Sequence, residues 1–284
     1  MKYGSKNLLL IFISFIVGCS SGVDIPLPTP PPPTAKTCII SGITQQNSTI
    51  KPEFNFNIQY NIIYNPIKMS LFDSVTNIQI FNANLNYVTL DSIIIDAYQY
   101  FKLDALKRVI LFVTKEDMTQ PSNSDNYRYE YKYSQDGFLI TKFLFINGAK
   151  TPQYTTNYTY SNGQLVSCIM TTSSSDNKKV LESTLSYNVS VSPKTMIYIF
   201  PDGFESSLYS VALNYGNRPS KPPSKIITKI FDPVTGNTLD TWTTNYSGYA
   251  LDSNGYLTGG TTSGDQQQGI FTFYGKTSFT YQCR

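Results

Sequence analysis

Tyr129-Glu130-Tyr131-Lys132-Tyr133-Ser134-Gln135-Asp136-Gly137-Phe138-Leu139-Ile140 and, after a short insert, Tyr158-Thr159-Tyr160-Ser161-Asn162-Gly163-Gln164-Leu165-Val166 decide the fold. Twice the chain lays down an alternating Tyr-x-Tyr strand, turns on Asp-Gly or Asn-Gly, and leaves on an apolar strand. Alternation sends one face of each strand toward a core and the other toward solvent. Asp-Gly and Asn-Gly suit a type I′ turn, because both central residues need positive φ. The unit is a β-hairpin, and it recurs.

Working outward, Phe54-x-Phe56-x-Ile58-x-Tyr60 alternates strictly. Tyr98-x-Tyr100 leads through Leu103-Asp104-Ala105-Leu106 to Val109-Ile110-Leu111. Leu185-x-Tyr187 passes Ser192-Pro193-Lys194 to Met196-Ile197-Tyr198, and Leu213-x-Tyr215 crosses a Pro-rich loop (Pro219, Pro222, Pro223) to Ile226-Ile227. Tyr249-x-Leu251-Asp252-Ser253-Asn254-Gly255-Tyr256-Leu257 is the last copy. Units of this kind cannot bury a face alone and must stack. The expected fold is therefore all-β, a twisted antiparallel meander of β-hairpin repeats over residues 38–284, with a two-sheet β-sandwich as the alternative. Helical periodicity is poor, with one short helix expected within residues 66–79. Gln120–Asn126 and Thr171–Lys178 read as surface loops.

The chain begins with Lys2 and Lys6 ahead of an apolar run from Leu8 to Val17, broken only by Ser14. That is signal-peptide length and too short for a spanning helix. Ile16-Val17-Gly18-Cys19 resembles the lipobox of bacterial lipoproteins, which implies removal of residues 1–18 and lipidation of Cys19. Pro26, Pro28 and Pro30–Pro33 then form an extended stalk within residues 19–37. The expectation is a membrane-anchored protein, at the surface or the periplasmic face of an outer membrane. Several acyl chains give it stable attachment.

Charge is sparse and nearly balanced, 22 basic against 19 acidic residues, so nucleic acid is not an expected partner. The chain has 0 His. This excludes Ser-His-Asp and Cys-His catalysis, His-ligated zinc and His-ligated haem. No catalytic residue, metal ligand or cofactor is identified. Of the 4 Cys, Cys19 is committed to lipid. Cys38 opens the folded region and Cys283 nearly ends it, so a bridge between them would tie terminal strands together. The alternative is that both, with Cys168, are buried thiols.

Other chemistry is weaker. Asp232–Gly236 and Asp252–Gly255 lack the ligand count of a calcium loop and read as Asx turns. Glu116, Asp117 and Glu205 could supply a glycosidase pair. Trp242, the 1 Trp, reads as core in preference to a ligand anchor. Tyr127, Tyr129, Tyr131 and Tyr133 share one face, as do Tyr158 and Tyr160. Turned outward they form a glycan platform; turned inward they form core.

Taken together, the lipobox, the Pro-rich stalk, Lys36-Thr37-Cys38 and the repeated Tyr hairpins resemble uncharacterised Bacteroidota lipoproteins. The hairpins at Tyr131–Leu139, Tyr158–Leu165 and Tyr249–Leu257 are similar to the YD repeats of RHS-type shells, although Ser134 and Ser161 stand where an Asp usually follows the second Tyr. The resemblance implies an envelope protein and imports no catalytic residues. Asp73-Ser74-Val75 and Asp91-Ser92-Ile93 are similar to a Bacteroidota O-glycosylation acceptor, which makes Ser74 and Ser92 candidate sites. Three functions follow: a non-catalytic lipoprotein that binds glycan or another envelope protein, a structural or adhesive envelope component, and a carboxylate-based glycan hydrolase.

Overall fold

In Phe54–Tyr60 the buried side chains are Phe56 and Ile58, while Asn57 and Gln59 face water. The same period of two runs through nearly every strand. The structure is a computed structural model. It describes residues 37–46, 53–115, 124–173, 176–188, 190–202, 208–265 and 275–284. The signal segment, Cys19, the stalk, Glu116, Asp117 and Glu205 lie outside the described residues.

The fold is all-β, with 17 strands in one antiparallel sheet. The first are β1 (Cys38–Gln46), β2 (Phe54–Tyr60), β3 (Pro66–Asp73), β4 (Gln79–Asn84), β5 (Asn86–Thr89) and β6 (Ser92–Ile94). Next come β7 (Tyr100–Leu103), β8 (Val109–Lys115), β9 (Asn126–Tyr133), β10 (Leu139–Ile146), β11 (Tyr154–Ser161) and β12 (Gln164–Thr172). The last are β13 (Lys179–Ser186), β14 (Lys225–Phe231), β15 (Thr238–Leu251), β16 (Leu257–Gly264) and β17 (Gly275–Cys283).

Each strand except β4 pairs with its successor, which is the expected meander, but the sheet curls on itself. β17 returns to β1, in register from Cys38↔Cys283 to Gln46↔Lys276, with a bulge at Ile40/Gly42. Cys38 and Cys283 are joined as a disulfide across this pair. One gap keeps the barrel from full closure. β4 and β5 are successive halves of one bent strand about Leu85; β4 pairs back to β3 and β5 forward to β6. The segment 66–79, expected as a helix, is strand β3 and its turn. Met69 and Leu71 point in together at period two, and Asp73 caps the turn through the amides of Val75 and Thr76.

The turns explain the recurring motif. Around Asn61–Tyr64, Asp104–Lys107, Ser134–Gly137 and Asp252–Gly255 the first carbonyl accepts from the fourth amide. In each, the fourth residue has positive φ: 63° at Tyr64, 61° at Lys107, 83° at Gly137 and 84° at Gly255. The first side chain accepts from later amides, as Asp252 Oδ1 does from Asn254 and Tyr256. Asp136-Gly137 is thus not the type I′ turn expected, because only Gly137 has positive φ. Asn162-Gly163 has both, at 50° and 73°, as type I′ requires.

Between β13 and β14 the chain leaves the wall. Residues 187–224, read from sequence as parts of two more hairpins, form no strand among the described residues. Pro193, Pro201, Pro219, Pro222 and Pro223 remove amides that a ladder needs. The segment includes α1 (Leu208–Ala212) and enters the barrel as a plug. Tyr209 meets Phe81, Phe101 and Phe112 of β4, β7 and β8. Tyr215 meets Tyr131 of β9, and Phe200 meets Tyr158 of β11. Contacts from strands so far apart in the meander place the plug inside the ring.

The plug is also pinned at the mouth. Val109 N donates to Asn214 O, Asn217 N to Gly137 O, and Lys194 N to Gly255 O. Each tie is to a turn, or the residue after one, on the same rim. On this rim a second set of bonds recurs, each joining residues 20–26 apart: the hydroxyls of Tyr60, Tyr133, Tyr187, Tyr249 and Tyr281 donate to the carbonyls of Ile40, Val109, Leu165, Pro223 and Leu257. Each of these hydroxyls ties the end of one strand to the start of the strand before it, whereas Tyr160 reaches Tyr198 of the plug instead.

The staple closes a loop with a sequence separation of 245 residues. Its removal by Cys38→Ala with Cys283→Ala is expected to cost about 2–5 kcal/mol. Guanidinium unfolding midpoints of the oxidised protein and the variant check this; equal midpoints would contradict it.

Candidate functional site

The most polar place in the interior lies between plug and wall. Lys142 sits in β10 at an inward position, opposite Tyr131 of β9 and Thr156 of β11. Its Nζ is 2.8 Å from Oδ2 of Asp202, and the side chains are 2% and 0% exposed. Tyr158 O–H donates to the same Oδ2 at 3.0 Å. Asp202 is held by its neighbour: Pro201 O accepts from Ser183 Oγ, which also shares a hydrogen bond with Thr228. The Phe200 and Tyr129 rings flank the ammonium at 5.2 and 5.7 Å. Cys168 is fully buried nearby, and burial, aided by the Asp202 charge, pushes its thiol well up. It is an inert core thiol.

Nearer the mouth, Arg218 donates to the carbonyls of Met196 and Ser210. Burial pulls its guanidinium down from the usual value, against the opposing effect of Tyr60, Tyr281 and Tyr198. On the other side of the plug, Met196, Ile197 and Ile199 face Tyr246, Tyr249, Leu257 and Phe279 across a small cavity of ≈ 50 Å³. The hydroxyl-bearing residues Thr261, Thr262 and Thr277 complete its lining. A cavity of that size holds a water or two and lies well below the roughly 300–1,000 Å³ of ligand pockets.

The tyrosines expected as a possible glycan platform are not a surface. Tyr129, Tyr131 and Tyr158 are buried against the plug. Tyr133 is committed to Val109 O and Tyr160 shares a hydrogen bond with Tyr198 at 2.7 Å. Tyr127 packs edge-on against Tyr129. Sequence alternation shows that they share a face, and the lumen takes that face. Ser92 is buried and its hydroxyl accepts from Lys102 Nζ, so the folded chain offers no acceptor there. Ser74 lies half-buried at a turn beside Glu53. Trp242 is only half-buried and donates to the exposed Asp240 carboxylate, so it is neither deep core nor an open anchor. Asp232 and Asp252 close Asx turns. Sequence reading passed over Lys142 and Asp202. A lysine at an inward position of an alternating strand was the one available sign.

The outer wall is polar over several strands, while Ile80, Val88, Ile94, Tyr100 and Ile110 are exposed across β4 to β8. β2 shows Asn55, Asn57 and Gln59, β11 shows Asn157 and Thr159, and β17 shows Lys276, Ser278 and Thr280. Outward phenylalanines are covered by cations: Arg128 over Phe145, Lys132 over Phe143, Lys179 over Phe231. A lipid-facing wall instead carries an apolar band between aromatic girdles, and a charge at its midplane costs about 2–4 kcal/mol. No helix among the described residues is long and apolar enough to cross a membrane.

The architecture is a plugged, nearly closed antiparallel β-barrel, and solved structures share it. A porin-like protein from Bacteroides vulgatus ATCC 8482 superposes with TM-score 0.55 at 11% identity, over 87% of this chain and 99% of that one. A porin-like protein from Bacteroides uniformis ATCC 8492 gives 0.57 at 14%, over 89% and 99%. The likeness is one of fold. No protein-family model matches the sequence, and no curated protein does.

Two outcomes follow from this packing. Gly216 has φ +87°, and a Cβ there would lie 2.4 Å from Gly137 O and 2.9 Å from the Tyr133 ring. Gly216→Ala is expected to cost about 2–5 kcal/mol, read as a lower denaturant midpoint. Burial also raises the phenols of Tyr87 and Tyr160 to about 12, above the ordinary tyrosine value of 10.0. Their stabilisation is complete below pH 10 and is lost as pH rises through about 12. Tyrosinate absorbance and circular dichroism should therefore change together above pH 10; smooth ionisation with the fold intact would contradict it.

Proposed function

We propose that this chain is a non-catalytic envelope lipoprotein whose barrel stands beside the membrane instead of spanning it, held by lipid on Cys19. The observation that carries the reading is the distribution of side chains: aromatic faces turned inward on a plug, and amides, hydroxyls and capped cations outward over β2, β9 to β11 and β17. Bacteroides proteins of the same fold and the lipobox support an envelope location. The absence of histidine from the whole sequence supports a non-catalytic role. With the aromatic faces turned inward, a structural or partner-binding component is favoured over a tyrosine glycan platform.

The partner-facing surface in this reading is an outer row across β6 to β10. Ile94 stands opposite Tyr100, Tyr100 opposite Val113, Val113 opposite Arg128, and Arg128 opposite Phe145. Apolar side chains with an aromatic and an arginine are the composition of interface centres. The partner is another envelope protein.

Alkaline carbonate extraction of membranes tests the anchoring. The native protein is expected to stay with the membrane, and Cys19→Ser to move to the soluble fraction. Retention of Cys19→Ser in the membrane would overturn it in favour of a spanning barrel. A photo-crosslinking residue at Tyr100 should capture a protein in cells, and the same residue at Asn157 should not. Equal capture, or none, would remove the assigned surface.

A further inference from the structure

We propose that the side chains of Lys142 and Asp202 become joined by an isopeptide bond that fastens the plug to the wall. Two observations carry this. The first is position. Nζ and Oδ2 are 2.8 Å apart at 2% and 0% exposure, each brought there by an independent anchor. Lys142 is fixed by the ladders to β9 and β11, and Asp202 by the bond from Ser183 to Pro201. The second is hydrogen-bond arithmetic. Despite the short contact, Lys142 Nζ makes no hydrogen bond of acceptable geometry with any described residue, and neither does Asp202 Oδ1. A buried ion pair holds its own against desolvation only when its remaining donors and lone pairs are met. Among the described residues this one leaves ammonium protons and a carboxylate oxygen without a protein hydrogen-bond partner. An amide has one N–H and one carbonyl oxygen, so the same two residues in amide form shed most of that deficit.

The step balances without an oxidant or cofactor. Moving one proton from Nζ to the carboxylate gives a neutral amine and a carboxylic acid. The amine lone pair attacks Cγ and a C–N bond forms. Tyr158 O–H, already donating to Oδ2, stabilises the oxyanion of the tetrahedral intermediate. The Cγ–Oδ1 bond then breaks, and that oxygen leaves as water with a proton from nitrogen. Positioning of this kind is worth effective molarities of roughly 10⁵–10⁸ M. The Phe200 and Tyr129 rings on either side of Nζ keep out the water that would reverse it.

Mass spectrometry of the whole purified protein, reduced, denatured and digested with trypsin, tests the bond. The expected product is one branched peptide, residues 133–150 joined to residues 195–225, about 18 Da lighter than the sum of the two. Lys142→Arg should abolish it and release the plug peptide at full mass. Unjoined peptides at full mass from folded wild-type protein would overturn the proposal. So would loss of water from the plug peptide alone, because Asp202 precedes Gly203 and that pair can form a succinimide. Neither outcome bears on the anchoring at Cys19, so the two readings stand or fall separately.

Discussion

A ring of this many strands encloses more space than its own inward side chains can fill. Barrels of 16 to 18 strands usually leave a water-filled channel. Water against the lumen of this one would face Met69, Ile93, Phe101, Val109 and Leu139, all essentially inaccessible. The plug removes that conflict. Tyr209, Tyr215, Phe200 and Leu213 supply the missing core, and the wall can then be apolar inside and polar outside. Wall and plug need each other. Without the plug the wall has an apolar lumen, and without the wall the plug has nothing to cover its proline-interrupted backbone.

This dependence explains which parts could be read in the sequence. Wall strands carry a local signal, since period two needs only neighbouring residues, and the all-β meander followed directly from it. Ring closure is not local. It came into view only through Cys38 and Cys283, two residues at opposite ends whose bridge would pair terminal strands. The plug was masked because Met196-x-Tyr198-x-Phe200 and Leu213-x-Tyr215 imitate the wall's alternation. The five prolines of the segment were the counter-signal, and they outweigh the pattern because a missing amide cannot be compensated in a ladder. At residues 66–79, alternation at Met69 and Leu71 prevailed over a weak helical reading.

The candidate site was less readable still. Alternation states that four tyrosines share a face and is silent on which side of the sheet becomes the lumen. The side is set by closure and by the plug, two features of the whole ring. Lys142 and Asp202 lie 60 residues apart on different kinds of structure, so no spacing rule links them. Repetition has its own physical basis, visible only in three dimensions. Tyrosines recur near strand ends, where the hydroxyls of Tyr60, Tyr133, Tyr187, Tyr249 and Tyr281 each reach a carbonyl one strand back.

Closure has a mechanical consequence. Thr37 and Arg284 exchange backbone hydrogen bonds beside the Cys38–Cys283 staple, so both ends of the described chain leave from one point on the plugged rim. Tension on residue 37 meets, beyond its own pair of bonds to Arg284, a covalent cross-link one residue further on. It cannot peel β1 away from β17 bond by bond. The load passes instead along both strands together, in shear, across the neighbouring ladders to β2 and β16. The seam where the ring closes is thereby the place best able to bear a pull.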